Sequence, residues 1–151
     1  IPYIFDPGQQ ITSLTPAELK KAIEQAKILI GNDYEIQLIL NKLKFKLPAL
    51  LKLAEIVIIT KGEEGSEIYK DGKMTLIPTA RPKAVLDPTG AGDAYRAGLI
   101  KGLVSGWPLA KTGRLAALVA VYTVEKYGTQ THRFNWAGLK KRYEENFREK
   151  L

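Results

Sequence analysis

The sequence predicts an α/β fold: a sheet flanked by helices, with a small β-hairpin. Three observations carry this expectation. The run Glu55-Ile56-Val57-Ile58-Ile59-Thr60 is apolar and β-branched without alternation, the pattern of a strand buried on both faces in a parallel sheet. Strand-like and helix-like segments alternate through the first half of the 151-residue chain, as crossover-connected strands require. Asp71-Gly72 separates two extended segments, residues 66–69 and 73–77, and Asp-Gly between such runs is a strong hairpin signal.

The elements follow in order. Residues 1–5 read as a buried strand, turned by Asp6-Pro7-Gly8. Thr15-Pro16-Ala17-Glu18 opens a helix with agreeing signals: Thr15 can cap, Pro16 suits the first helical position and Glu18 completes a capping box. That helix is expected to run to about residue 26, before a short strand at 27–30 that ends on Gly31-Asn32. Asp33 starts a second helix, to about residue 40, and residues 47–54 form a third that leads into the 55–60 strand. After the hairpin comes a loop marked by Pro78, Pro82 and Pro88; helices are then expected at 91–105, 108–127 and 136–147. No internal repeat, low-complexity segment or linker interrupts the pattern, and the length suits one domain with a hydrophobic core.

Composition excludes several classes. Hydrophobic residues make up 45% and charged residues 26%, an ordinary globular balance. No segment has the roughly 18 to 20 apolar residues of a membrane span, so no membrane partner is expected. The absence of cysteine removes disulfide scaffolds and thiolate zinc sites; with no charged leader or cleavage site in the opening residues, a cytoplasmic location is expected. The net charge of +7 is spread along the chain. Its densest run, residues 140–150, is interleaved with Glu144, Glu145 and Glu149, which reads as a solvated face of mixed sign and not as a nucleic-acid patch. The chain has no initiator Met and begins on the strand-like Tyr3-Ile4-Phe5, so a fragment of a longer protein is expected.

The segment that carries chemistry is Asp87-Pro88-Thr89-Gly90-Ala91-Gly92-Asp93-Ala94, a loop entering a helix. Its glycines allow a tight turn and close ligand approach. The helix start offers N–H groups from Ala91, Gly92 and Asp93 and the positive end of a dipole, an anion site suited to a terminal phosphate. A carboxylate there would repel the phosphate unless Asp93 faces an acceptor hydroxyl and takes its proton. The alternative is that Asp93 stabilises its own helix N-terminus. Spacing alone leaves both open.

Gly90-Ala91-Gly92-Asp93, preceded by Asp87 and Thr89, resembles the C-terminal signature of the ribokinase/PfkB family. Three more segments match in order. Asn32-Asp33-Tyr34-Glu35 resembles the family's Asn-x-x-Glu motif. Thr60-Lys61-Gly62-Glu63-Glu64-Gly65 resembles its Thr-x-Gly-x-x-Gly turn. Residues 115–128, then Thr129-Gln130, resemble the helix and turn that wall the adenine pocket. The resemblance implies that residues 1–151 are the nucleotide-binding, C-terminal part of a ribokinase-like kinase, with a Rossmann-type sheet flanked by helices. An N-terminal half outside this sequence would then supply the acceptor pocket, the lid and much of a homodimer contact. The implied activity is ATP-dependent phosphoryl transfer to a hydroxyl. Asp6-Pro7-Gly8-Gln9-Gln10, residues 87–98 and Tyr127-Gly128-Thr129-Gln130 are similar to bacterial adenosine kinases of the family, which implies the 5′-hydroxyl of adenosine. A sugar kinase and a non-catalytic nucleotide-binding fragment are the alternatives.

The resemblance also implies roles. Asp93 is the base, and the N–H groups of Gly90, Ala91 and Gly92 form the anion hole. Glu35 orients magnesium through water. Asn32, Thr60, Gly62, Gly65, Val121 and Val124 contact the nucleotide. Asp87, Thr89 and Gly128 support a potassium ion. Read as residues alone, Asn32 is also a strand-end turn residue, Glu35 a first-turn helix acid, Gly62 and Gly65 a strand-to-hairpin turn, and Val121 and Val124 core. Arg96 shares a helix face with Asp93, where it can meet a phosphate or pair with Asp87 or Asp93. Tyr122, Tyr127 and Trp136 read as core or interface aromatics, and His132 receives no role.

Overall fold

The computed structural model describes all residues from Ile1 to Leu151. The chain forms two compact units, Ile1–Leu76 and Ile77–Leu151. The boundary falls at the end of the hairpin, just before the loop punctuated by Pro78, Pro82 and Pro88.

In the first unit the strands are β1 (Ile4–Phe5), β2 (Ile28–Asn32), β3 (Ile56–Thr60), β4 (Ser66–Lys70) and β5 (Lys73–Ile77). They lie side by side in chain order. β1, β2 and β3 are parallel, and β4 turns back antiparallel on β3. The helices are α1 (Pro16–Gln25), α2 (Asp33–Leu43) and the four-residue α3 (Leu47–Leu50). The predicted capping box of α1 is present: Glu18 N–H donates to Thr15 Oγ1 while Thr15 N–H donates to the Glu18 carboxylate at 2.8 Å. Leu19 and Ile23, one turn apart, bring the apolar stripe of α1 against Ile36 and Ile39 of α2 and against Leu29, Val57 and Ile59 of the sheet. Each such side chain contributes about 1.5–3 kcal/mol when fully buried. Ile28, Ile30, Ile56 and Ile58 point the other way and are buried too, so β2 and β3 are covered on both faces, as their unbroken apolar runs require.

The structure corrects two expectations, at the first strand and the third helix. The first strand is two residues long and half-buried, and Ile1 is exposed; β1 lies at the sheet edge and pairs only with Ile28 and Leu29. Residues 8–12 form a 3₁₀ turn that buries Ile11. The third helix ends at Leu50, and residues 51–55 continue as turns and bends.

The second unit consists of α4 (Ala91–Val104), α5 (Leu109–Val124) and α6 (Trp136–Phe147). α4 meets α5 at glycines. A Cβ on Gly98 would lie 2.7 Å from Ala116 Cα, and one on Gly102 would lie 2.6 Å from Thr112 Oγ1. Only hydrogen in place of a side chain allows this approach. Tyr143 of α6 is fully buried among Leu115, Leu118 and Leu139.

Arg142 corrects the reading of residues 140–150 as a solvated face. Its guanidinium forks onto Glu125, with Nη1 donating to Oε2 at 2.8 Å, donates to the Arg81 carbonyl at 3.0 Å, and lies 4.6 Å from the Tyr122 ring. Both side chains of the pair are only 11% exposed. Glu125 also accepts from Lys83 N–H at 2.6 Å. Burial pushes the Glu125 carboxyl up, but hydrogen bonds from Arg142 and Lys83 outweigh it, and the net shift is below its ordinary 4.5.

Two outcomes are expected. Gly98→Ala should destabilise the protein: overpacking costs about 1–3 kcal/mol, against a helix-propensity gain of only about 0.5–1 kcal/mol. A lowered urea midpoint reads this. Glu125→Gln should cost about 3 kcal/mol at neutral pH by leaving Arg142 without its counter-charge. Because the folded-state pKa of Glu125 is depressed, wild-type stability from this pair is complete above 4.5 and lost as pH falls through the lower folded value. The gap between variant and wild type should therefore close on acidification, measured by denaturation at stepped pH.

Candidate functional site

In the first unit, the carboxyl ends of β2 and β3 put Asn32 directly beside Thr60 in the ladder, the end of a parallel sheet where α/β folds bind ligands. Asn32 caps α2. Its Oδ1 accepts from Glu35 N–H at 2.8 Å, and Glu35 Oε2 accepts from Asn32 N–H at 2.8 Å. This reciprocal box satisfies two backbone donors and spends one oxygen of each side chain. A Cβ on Gly31 would lie 3.3 Å from Glu35 Oε2, so the box packs tightly against the strand end. The spacing Asn-x-x-Glu was legible in the sequence as a motif; this packing was not.

The turn after β3 is closed by Lys61 N–H on the Gly65 carbonyl at 2.8 Å. Gly62 takes φ +56°, and Gly65 takes φ +91° with ψ −136°, a region open essentially to glycine alone. Lys61 is turned back along the hairpin onto Glu67, which also accepts from Tyr69 Oη at 2.7 Å. The Glu67 hydrogen bond raises the Lys61 ammonium above its ordinary value, and the same bond lowers the Glu67 carboxyl.

In the second unit the loop before α4 is held by Asp87. Its Oδ1 accepts from Thr89 N–H and its Oδ2 from Gly128 N–H, each at 2.9 Å. Hydrogen bonding by Thr89, then by the Gly128 N–H, holds this carboxyl below its usual range. The Leu86 and Asp87 N–H groups donate to the Val124 carbonyl at 2.8 and 3.2 Å. The structure thus brings Asp87, Thr89, Gly90, Val124 and Gly128 together. Gly90 caps α4 at φ +84° and abuts Thr129, whose Cβ would be 3.0 Å from a Cβ at position 90.

One part of the expected anion hole is already engaged: Ala91 N–H donates to the Pro88 carbonyl at 3.1 Å, closing the turn. Gly92 and Asp93, as first-turn residues, have no acceptor within the helix. A Cβ on Gly92 would meet nothing within 4 Å. Asp93 projects outward, 72% exposed, and pairs through Oδ1 with the Arg96 guanidinium one turn on. Of the partners considered for Arg96, the structure has Asp93.

Val121 is buried in the helical core and Val124 half-buried. Tyr127 and Trp136 are exposed, not core, and Trp136 carries the Lys101 and Lys140 ammonium groups over its ring at 5.8 and 5.6 Å. His132 Nδ1 lies 3.3 Å from Thr123 Oγ1 and its ring stacks near Phe134. No group of three or more His, Asp or Glu side chains gathers as a metal site. No helix is long and apolar enough to cross a membrane.

A mixed sheet with ligand-type loops at its parallel carboxyl ends, followed by a glycine-rich loop and helix, is the ribokinase-like α/β architecture. The nucleoside kinase of Burkholderia thailandensis in complex with inosine superposes with a TM-score of 0.97 at 36% identity, over 100% of this chain and 51% of that one. The Methanocaldococcus jannaschii nucleoside kinase, described as an archaeal member of the ribokinase family, gives 0.90 at 37% identity over 95% and 48%. In sequence, a nucleoside kinase of that organism is 37% identical over 142 residues, 94% of this chain and 47% of the relative. One from Methanothermobacter thermautotrophicus is 40% identical over 129 residues, 85% and 41%. The pfkB family carbohydrate kinase pattern matches residues 2–135. The chain belongs to the pfkB family of carbohydrate kinases, and it spans about half the length of the relatives it matches.

The two motif glycines should respond oppositely to alanine. Gly90→Ala forces a side chain into left-handed backbone and against Thr129, costing at least about 1–2 kcal/mol. Gly92→Ala enters open space in a helix and should be neutral or stabilising by up to about 1 kcal/mol. Denaturation midpoints of the two variants check this.

Proposed function

We propose that the protein containing this chain transfers the γ-phosphoryl group of ATP to a hydroxyl of a nucleoside, with adenosine as the first acceptor to test. The observation that carries the proposal is the glycine-lined start of α4, which presents the Asp93 carboxylate outward from a loop clamped by Asp87. Membership of the pfkB family and similarity to nucleoside kinases support it, one of them solved in complex with ADP-inosine. The bacterial adenosine kinase resemblance supports adenosine, while the Burkholderia complexes make inosine the direct competitor.

In this reading Asp93 accepts the proton of the attacking hydroxyl as its oxygen bonds to phosphorus and the bond from phosphorus to the ADP oxygen breaks. A positioned base of this kind contributes about 10²- to 10⁴-fold. The N–H groups of Gly92 and Asp93, with that of Gly90, stabilise charge on the transferred group. Ala91 N–H joins them only if the turn to Pro88 opens. Asn32 and Thr60 offer neutral polar groups to the phosphates, and Gly62 and Gly65 let the backbone pass beneath the nucleotide. Bound magnesium would offset the phosphate charge, with Glu35 orienting its water. An additional segment, of the kind that makes the relatives twice as long, supplies the acceptor pocket and the dimer contact.

The test is ADP release by the intact protein with ATP and magnesium across adenosine, inosine, ribose and fructose phosphates. Release with a nucleoside is expected. Release with a sugar alone would keep the family and overturn the acceptor. Asp93→Asn should lower kcat by about 10²- to 10⁴-fold with ATP affinity unchanged. Weakened ATP binding with intact turnover would remove Asp93 from the base role.

A further inference from the structure

We propose that Arg96 is a positioning residue that holds Asp93 in its working orientation and selects which carboxylate oxygen meets the acceptor hydroxyl. This rests on the base role proposed for Asp93.

The residues beside Asp93 in its motif do little to restrain that carboxylate. Asp93 is 72% exposed. Its motif neighbours are Gly90, Ala91 and Gly92, which bear no side chain able to hold it, and the space beside Gly92 is open. A free aspartate there would exchange among rotamers, and only some would aim an oxygen at a hydroxyl. The Arg96 guanidinium, three residues along the same helix face, engages Asp93 Oδ1. The Arg96 side chain is itself only 34% exposed, less than half the exposure of the carboxylate it engages. With Oδ1 taken, Oδ2 is the oxygen presented for proton transfer.

The rigid planar fork of a guanidinium fixes direction in a way an ammonium does not. Holding a reacting group in the attack geometry is worth a great deal, and a displacement of about 1 Å can cost about 10²-fold in rate.

The test is a double-mutant cycle on the intact protein, with ATP, magnesium and whichever of adenosine or inosine turns over faster. Arg96→Met keeps the stem and removes the fork. We expect kcat to fall about 10- to 100-fold with KM for ATP and the urea midpoint little changed. Arg96→Lys should recover part of the loss. In an Asp93→Asn background, Arg96→Met should have no further effect on kcat, because it acts only through the carboxylate. Losses that multiply in the double variant would show that Arg96 acts independently of Asp93 and would overturn the proposal. So would a rise in KM for ATP at constant kcat, which marks a direct phosphate contact. If Asp93→Asn alone leaves kcat intact, the base role itself fails; if that variant is slow but Arg96→Met is not, the positioning role fails while the base role stands.

Discussion

The approach of α4 to α5 through Gly98 and Gly102 is the constraint on which the second unit depends. With the Gly98 site 2.7 Å from Ala116 Cα by an imagined Cβ, the two helices meet backbone to backbone, and no larger residue fits between them without moving them apart. α4 carries the glycine-Asp motif at one end, and α5 delivers the Gly128-Thr129 turn from its own end. Locking the helices together is what allows Asp87 to reach Gly128 N–H and Gly90 to abut Thr129. A loop of exposed residues thereby acquires a defined shape without a core of its own. The buried Arg142–Glu125 pair works on the same helix end, because Glu125 directly follows α5 and also ties down Lys83.

The first unit solves a comparable problem with different means. Two parallel strands must stop where a ligand can approach, and their ends must leave no stranded backbone donors. The capping box between Asn32 and Glu35 meets that need at the end of β2. At the end of β3, Gly62 and Gly65 adopt backbone conformations that turn the chain into the hairpin. The same residues that the family resemblance assigns to phosphates and magnesium thus have structural duties. Asn32 Oδ1 and Glu35 Oε2 are engaged in the cap, so a ligand role falls to the Asn32 amide nitrogen and the other Glu35 oxygen, or requires the cap to open. The two roles are compatible because each side chain has more hydrogen-bonding capacity than the box consumes.

Ionic pairs appear in two kinds. Arg142–Glu125 is largely buried, each side chain 11% exposed, and forms part of the packing. Asp93–Arg96 is open to solvent on the Asp93 side, where screening makes its stabilising contribution small. What the pair can supply is direction, which is the use the proposed base role of Asp93 would make of it.

The sequence by itself determined the alternation of strands and helices, the Asp71-Gly72 hairpin, the Thr15–Glu18 cap, the start of α4 and the order of the motifs. These are local matters: periodicity, turn chemistry and capping depend on residues within a few positions of one another. What only tertiary structure decided depends on distant neighbours. The spacing of Asp87 and Thr89 does not reveal that both carboxylate oxygens of Asp87 are used as a clamp, because one partner is Gly128. Nor does the mixed-sign pattern of residues 140–150 show that Arg142 turns inward, since its counter-charge is Glu125 on another element. The choice among partners for Arg96 was settled by rotamer and helix face, and the division at Leu76 by where each segment finds its packing. Local sequence writes the elements; the contacts that give individual side chains their duties are made by residues tens of positions apart, and only the folded chain brings those together.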